Sequence, residues 1–448
     1  MKTKTALVLN SLILSCAVGL IFVSNTLQSS TAEGETNHKA VFGPGDVKKG
    51  YESTDYKTHS FDIQKRIGKE ANLMEFVEQP PLGLPPVKTP KDNPITNEKI
   101  ELGRKLFFDR RLSINDTLSC AICHIPEQGF TNNEIETAVG VEGRTGKRNA
   151  PTVYNSGYLE KIFHDGREST LEQQVWAPFL ARNEMANPSI GYVINKIKAI
   201  KEYDGLFEAA FNGRGPTMET IGMALASYQR TLNAANSPFD RWYFGKEENA
   251  VNEQVKSGFK LFIGKGACNT CHLIQDDYAL FADDKLHNTG LGYQVSMGIQ
   301  PKTKRVQLAP GVFTDLDMSV IKSVSRPKEN DLGQYEVTEN PNDRWKFRTP
   351  TLRNVALTAP YMHNGSMLTL REVVEFYNQG GVPNEVLSPL IRPLNLSDEE
   401  INGIVAFLES LTGDNVAIIV ADAFAAPIGD IGIDDPNWAH ENKSTNEN

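Results

Sequence analysis

The stretches Cys120-Ala121-Ile122-Cys123-His124 and Cys268-Asn269-Thr270-Cys271-His272 decide how this chain is organised. Two thiols separated by two residues can form thioethers with the two vinyl groups on one edge of a haem. The adjoining histidine then reaches the iron from one face. Cys120, Cys123, Cys268 and Cys271 are thus candidate attachment points for two covalently bound c-type haems, with His124 and His272 as iron ligands. Zinc is the other common use of CxxC, but it needs further cysteine or histidine ligands. The chain has 5 cysteines, and the fifth, Cys16, lies in the apolar N-terminus. An all-thiolate zinc site would have to join both pairs and would leave both histidines unexplained.

Working outward, the surroundings of the two motifs repeat. Gly103-Arg104-Lys105-Leu106-Phe107 precedes the first and Gly258-Phe259-Lys260-Leu261-Phe262 the second. Downstream, Pro151-Thr152-Val153-Tyr154-Asn155 matches Pro350-Thr351-Leu352-Arg353-Asn354, and His164-Asp165-Gly166 matches His363-Asn364-Gly365 at the same offset. Thr170-Leu171 and Thr369-Leu370 keep it too. The chain therefore reads as two copies of one haem domain. The second copy carries an insertion between about 275 and 345, rich in Asp, Gly, Lys and Pro and expected to be loop.

Helical periodicity covers 97–108, 170–180, 190–211, 218–233 and 252–262, and no sustained alternating strand pattern is present. Ser397 followed by Glu400 forms a capping box for a helix over 398–411, which Gly413 ends. The fold class expected is all-α, with two tandem cytochrome c-like haem domains and long loops. The divisions are a signal at 1–32, an extension at 33–95, haem domains at 96–246 and 247–415, and a tail at 416–448.

Bulk properties agree with that plan. A length of 448 residues suits two domains plus extensions, and 40% apolar with 23% charged residues describes a globular chain. The excess of 56 acidic over 46 basic residues argues against a nucleic-acid surface and favours a basic partner such as a small electron-carrying protein. Lys2 and Lys4 ahead of the apolar run 6–23, with the small residues Ser30-Thr31-Ala32 beyond it, read as an export signal to the periplasm. An uncleaved anchor is the alternative, because that run is nearly long enough to span a bilayer. In an oxidising compartment the four motif thiols leave none for a disulfide.

LGRKLFFDRRLS (102–113), KRNAPT (147–152), FHDGR (163–167), NSPFDRW (236–242) and FRTPTLRNVALTAPYMHNG (347–365) carry a resemblance to a known family. The chain resembles the bacterial di-haem cytochrome c peroxidases and their MauG-like relatives from about Asn97 to Gly413. The resemblance implies a peroxidatic first haem, with Gln174 and Glu184 on its distal side, and a second haem that relays electrons. A carboxylate at the open iron face can move a proton between the peroxide oxygens, and Gln174 can orient the peroxide. It also implies a calcium ion between the domains, held by the Asn149 side chain and the Thr358 and Pro360 carbonyls, since oxygen donors suit calcium. A homodimer is compatible with it.

Three departures from that family matter. Members with a distal histidine on the first haem carry it where this chain has Val141, and no histidine lies between His124 and His164. The first iron is therefore expected to be open or water-ligated. The position of the second haem's usual methionine falls on Tyr377, as in the MauG-like branch, with Met362 and Met367 as rival ligands and a packing aromatic as the plain alternative. His164 replaces a tryptophan between the haems; Trp176 is a substitute route, and the plain reading of His164 and His363 is structural. The expected function is reduction of hydrogen peroxide to water with electrons from a cytochrome c or cupredoxin. The alternatives are a MauG-like oxidase that modifies an aromatic residue of a protein substrate, and a plain di-haem electron carrier.

Overall fold

The computed structural model describes residues 68–299, 302–309, 312–324 and 330–426. The signal at 1–32, most of the extension at 33–95 and the tail beyond 426 lie outside the described residues.

The internal repeat becomes two helix pairs. Asn97–Phe108 begins at Thr96, whose hydroxyl accepts the Lys99 N–H, and it packs against Met218–Gln229. Glu253–Ile263 begins at Asn252, which accepts the Val255 N–H, and it packs against Asp398–Glu409. The capping box of Ser397 and Glu400 is formed. Each pair crosses at a glycine occupying the same place in the repeat. A Cβ on Gly103 would stand 2.0 Å from the Ala224 carbonyl oxygen, and one on Gly258 would stand 1.8 Å from that of Gly403. Only a residue without a side chain lets the two backbones approach this closely.

Each pair has its own apolar core. The first gathers Leu106, Phe107, Phe130, Tyr154, Phe207 and Tyr228. The second is aromatic, with Phe239, Phe259, Phe262, Phe281 and Phe407 in mutual ring contact. The helix Val416–Phe424, which follows the second half in sequence, packs into the first core through Val416, Ile419, Val420 and Ala423. A fully buried Arg353–Asp240 pair ties the two halves to the backbone at Gly83. Arg353 donates to both Asp240 oxygens at 2.9 Å, to Ala279 O at 2.6 Å and to Gly83 O at 2.5 Å.

The expectations at 170–180 and 190–211 are met by broken helices. Leu171–Gln174 and Trp176–Leu180 form two short pieces. Ile190–Ala199 ends at Ile200 in extended backbone, and Leu206–Ala210 restarts after Gly205 at φ +79°. Apolar spacing continues through the break because both pieces bury residues in the first core, so periodicity alone cannot show it.

The expectation of an all-α fold needs correction. Helices dominate, but two small antiparallel sheets are present: Leu286–His287 with Phe347–Arg348, and a hairpin of Thr303–Ala309 with Val312–Asp317. The hairpin lies in the insertion expected to be loop. Its register sets Arg305 opposite Asp315 and Lys304 opposite Leu316. Charged residues are thus spread along both strands, and the apolar alternation of Val306 with Leu308 is too short to mark a strand in sequence. No helix among the described residues is long and apolar enough to cross a membrane.

Candidate haem sites

Both motifs are built the same way. Cys120–Cys123 forms one helical turn and Cys268–Thr270 a tighter one, each placing its histidine at the end. His124 Nδ1 donates to the Phe130 carbonyl at 3.1 Å, and His272 Nδ1 to the Phe281 carbonyl at 2.7 Å. Phe130 and Phe281 both adopt positive φ, 51° and 52°, which turns those carbonyls toward the rings. A carbonyl can only accept, so Nδ1 carries the proton and the Nε2 lone pair is left for a metal. Burial lowers both imidazole pKa values, which keeps them neutral as ligands. The four cysteines form no disulfide. Burial pushes the Cys120, Cys123 and Cys268 thiols up to about 12.

Beside the first motif is a cavity of about 60 Å³ lined by Cys120, Cys123, His124, Gln174 and Glu184. The structure thus brings the two expected distal side chains to the first attachment site. Burial raises the Glu184 carboxyl above its ordinary range, against an opposing pull from Arg167. The Glu184 carbonyl accepts the Val141 N–H at 3.0 Å, so the valine loop is laced to the segment carrying the acid. Gln229 and Pro178 also line this cavity and were not anticipated.

The second cavity, about 280 Å³, holds Cys268, Cys271, His272, Tyr377 and Met362 on its walls. Tyr377 projects from Leu370–Asn378, whose start is set by the capping box of Thr369 and Glu372. Leu370, Val374 and Tyr377 fall on one side of that helix and all face the cavity. Burial raises the Tyr377 phenol, and the neighbouring Cys271 and Cys268 thiols add to the rise. Both rival methionines pack against the second core, but of the two it is Met362 that lines the cavity.

A haem fits this second cavity on grounds independent of the motif. Arg348 lines it, is 8% exposed, and donates only to the Phe163 and Thr349 carbonyls. Burial pushes its guanidinium down to about 10. Asp284 pulls the other way from a distance, but the guanidinium hydrogen-bonds only to neutral carbonyls, and a porphyrin carboxylate would give it a direct anionic partner. Arg348 lies in the 347–365 stretch, where nothing in the local pattern sets it apart from the nearby Arg353.

His164 and His363 meet at the same wall. His164 Nε2 donates to the Asn149 carbonyl at 3.0 Å, while His363 stacks on Phe347 at 3.7 Å. Burial, with Arg348 nearby, pulls His164 down to about 4, and burial takes His363 to about 3. Trp176 lies in the first core against Phe179 and lines neither cavity. Asn149, Thr358 and Pro360 all line the second cavity, and Asn149 Nδ2 donates to the Glu136 carbonyl at 3.0 Å.

Two c-type attachment sites in one helical repeat define a di-haem cytochrome. Residues 97–248 match the family model described as di-haem cytochrome c peroxidase. The chain is 38% identical to cytochrome-c peroxidase IdrP1 of Pseudomonas sp. (strain SCT), over 74% of this chain and 86% of that one. It is 35% identical to the methylamine utilization protein MauG of Methylorubrum extorquens, over 74% and 83%. A crystal structure of a MauG-like protein associated with microbial copper homeostasis superposes with a TM-score of 0.63 at 30% identity, covering 78% of this chain and 98% of that one. The chain belongs to the di-haem cytochrome c peroxidase and MauG family, and is an oxidoreductase of the peroxidase type.

Proposed function

We propose that this protein reduces hydrogen peroxide to water at the haem held by Cys120, Cys123 and His124. In this reading, residues 96–246 form the peroxidatic domain and 247–415 the electron-relaying one. The observation that carries it is the convergence of Glu184 and Gln174 on the first cavity.

When bound, the first haem supplies an iron at which peroxide can coordinate and be reduced. The chain's own part is proton handling and orientation. Glu184, its carboxyl raised by burial, takes a proton from the nearer peroxide oxygen and returns it to the farther one, which leaves as water. Gln174 holds the peroxide by hydrogen bonds, and Val141, an apolar side chain, offers the iron no ligand. Tyr377 would hold the second haem's iron together with His272, and Asn149, Thr358 and Pro360 would supply oxygen donors to a calcium ion. Electrons come from a small redox protein in the periplasm, to which the N-terminal signal directs the chain.

Glu184→Gln tests this directly. With both haems retained, peroxide consumption should fall by roughly a hundredfold, the contribution of a positioned acid–base group. An unchanged rate removes Glu184 from the chemistry. A second reading, oxidation of an aromatic residue on a partner protein, is favoured by Tyr377 on the second cavity. A phenolate stabilises ferric iron, whereas a methionine raises the potential. Slow turnover of a reduced cytochrome, with a long-lived oxidised state after peroxide, would support it over the peroxidase.

A further inference from the structure

Across Phe107 from His124, the first core contains a buried polar cluster that the proposed roles of Glu184 and Gln174 do not use. Tyr228 is 0% exposed, Tyr154 and Asp422 1%, and Arg104 7%. Arg104 Nη1 donates to Asp422 Oδ1 at 2.6 Å. The Tyr228 and Tyr154 hydroxyls, Arg104 Nε and Asp422 Oδ2 have no protein partner. The Tyr228 phenol lies within electrostatic reach of Asp422, Arg104 and Tyr154. Four buried polar atoms left over in one cluster are unusual in a folded core, where such groups pair with each other or with ordered water.

The cluster is wired to the haem ligand through aromatic rings. Tyr228 meets Phe107 edge-on at 5.4 Å between centroids, and Phe107 lies 6.5 Å from the His124 ring. Tyr154 meets Phe130 at 5.1 Å, and the Phe130 carbonyl holds His124. Asp422 lies on Val416–Phe424, beyond the 97–413 stretch that resembles the family, and that helix brings its carboxylate into the first core.

We propose that Tyr228 is a redox-active tyrosine on the His124 side of the first haem, with Asp422 as its proton acceptor. This rests on the peroxide reading above. Reduction of one peroxide to two waters consumes two electrons and two protons. Tyr228 supplies one of those electrons by way of Phe107 and His124, and becomes a neutral tyrosyl radical. Its phenolic proton passes to Asp422 Oδ2, through a bridging water, as the O–H bond breaks. The second electron comes by way of the second haem, and the two protons of the waters come from solvent; a later electron from the small redox protein, with the proton held on Asp422, restores Tyr228. A buried phenol cannot lose an electron and keep its proton, because the cation left behind would have no solvent to stabilise it. The carboxylate with one oxygen unclaimed meets that need, and burial holds its pKa above the ordinary range, making it a better base. The site would store an oxidising equivalent when no electron donor is bound.

The test is freeze-quench electron paramagnetic resonance on the full-length di-haem protein mixed with hydrogen peroxide in the absence of a donor. A tyrosyl signal that narrows on ring-deuterated tyrosine is expected. It should vanish in Tyr228→Phe and persist in Tyr154→Phe. Asp422→Asn should retain the signal but slow its appearance by roughly a hundredfold, as expected for loss of a positioned base. Tyrosyl radical undiminished in Tyr228→Phe, or formed at the native rate in Asp422→Asn, overturns the proposal. Peroxide consumed without any tyrosyl signal overturns it while leaving the peroxidase reading intact. Peroxide left unconsumed by the native protein overturns both.

Discussion

At the scale of single residues, the two sites share one device for their histidines and differ in what faces them. A phenylalanine carbonyl at positive φ takes the Nδ1 proton in each half, so both imidazoles present the same nitrogen. The opposite wall is acidic in the first site, through Glu184, and phenolic in the second, through Tyr377. Tyr377→Phe should therefore change the ferric absorption and spin state of the second haem only, while Met362→Leu should change neither. The measurement is the electronic and paramagnetic resonance spectrum of each variant. A normal second-haem spectrum in Tyr377→Phe would transfer the ligand role elsewhere. The motif residues were legible because covalent chemistry demands them at fixed spacing. Arg348 and Gln229 were not, because a cavity wall is assembled from distant parts of the chain.

At the scale of elements, each half depends on a helix crossing that admits no side chain. Gly258 and Gly403 bring Glu253–Ile263 and Asp398–Glu409 into backbone contact, and the second motif follows directly from the first of these helices. Gly258→Ala must separate the two helices. The cost expected for overpacking is about 1–3 kcal/mol or more where backbones touch, offset by a gain of about 1 kcal/mol in helix propensity. Thermal melting of the di-haem protein should show a lowered Tm, and a Tm equal to the native value would mean the helices can part freely. These helices could be read from apolar spacing because each lies half in a core. The hairpin Thr303–Ala309/Val312–Asp317 could not, since the face that carries Val306 and Leu316 also carries Lys304 and Thr314.

At the scale of the whole molecule, the insertion latches onto the segment that connects the two cavities. Lys304 pairs with Glu136, Lys147 with Glu336 at 2.7 Å, and Arg148 with Asp331 at 2.7 Å. Arg148 also reaches Asp165 at 2.5 Å, and the same segment carries Val141 and Asn149. Burial pushes the Asp165 and Asp331 carboxyls up, but the charge and hydrogen bonds of Arg148 outweigh it and hold both below 3.8. A depressed carboxylate contributes stability that is present above its unfolded value and is lost as pH falls through its folded one. Native protein should therefore lose Tm on acidification below about 3.8, a loss in which these two groups share. Arg148→Met should already be destabilised at neutral pH, by about 3–5 kcal/mol for a broken buried pair, and should lose less on acidification. Parallel Tm-against-pH curves for the two proteins would show that the network does not couple to stability.

The sequence by itself determined the two attachment motifs, their histidines, the internal repeat and the family. These follow from covalent chemistry and from local spacing, which survive without knowledge of the fold. The tertiary structure decided which distant side chains share a wall: Glu184 with Gln174, Tyr377 and Met362 rather than Met367, Arg348 at the second cavity, and Asp422 behind the first. It also decided that the insertion pairs as a hairpin and clasps the first half. The reason is physical: burial and long-range ion pairing belong to residues brought together by packing, and no local pattern in the chain encodes which residues those will be.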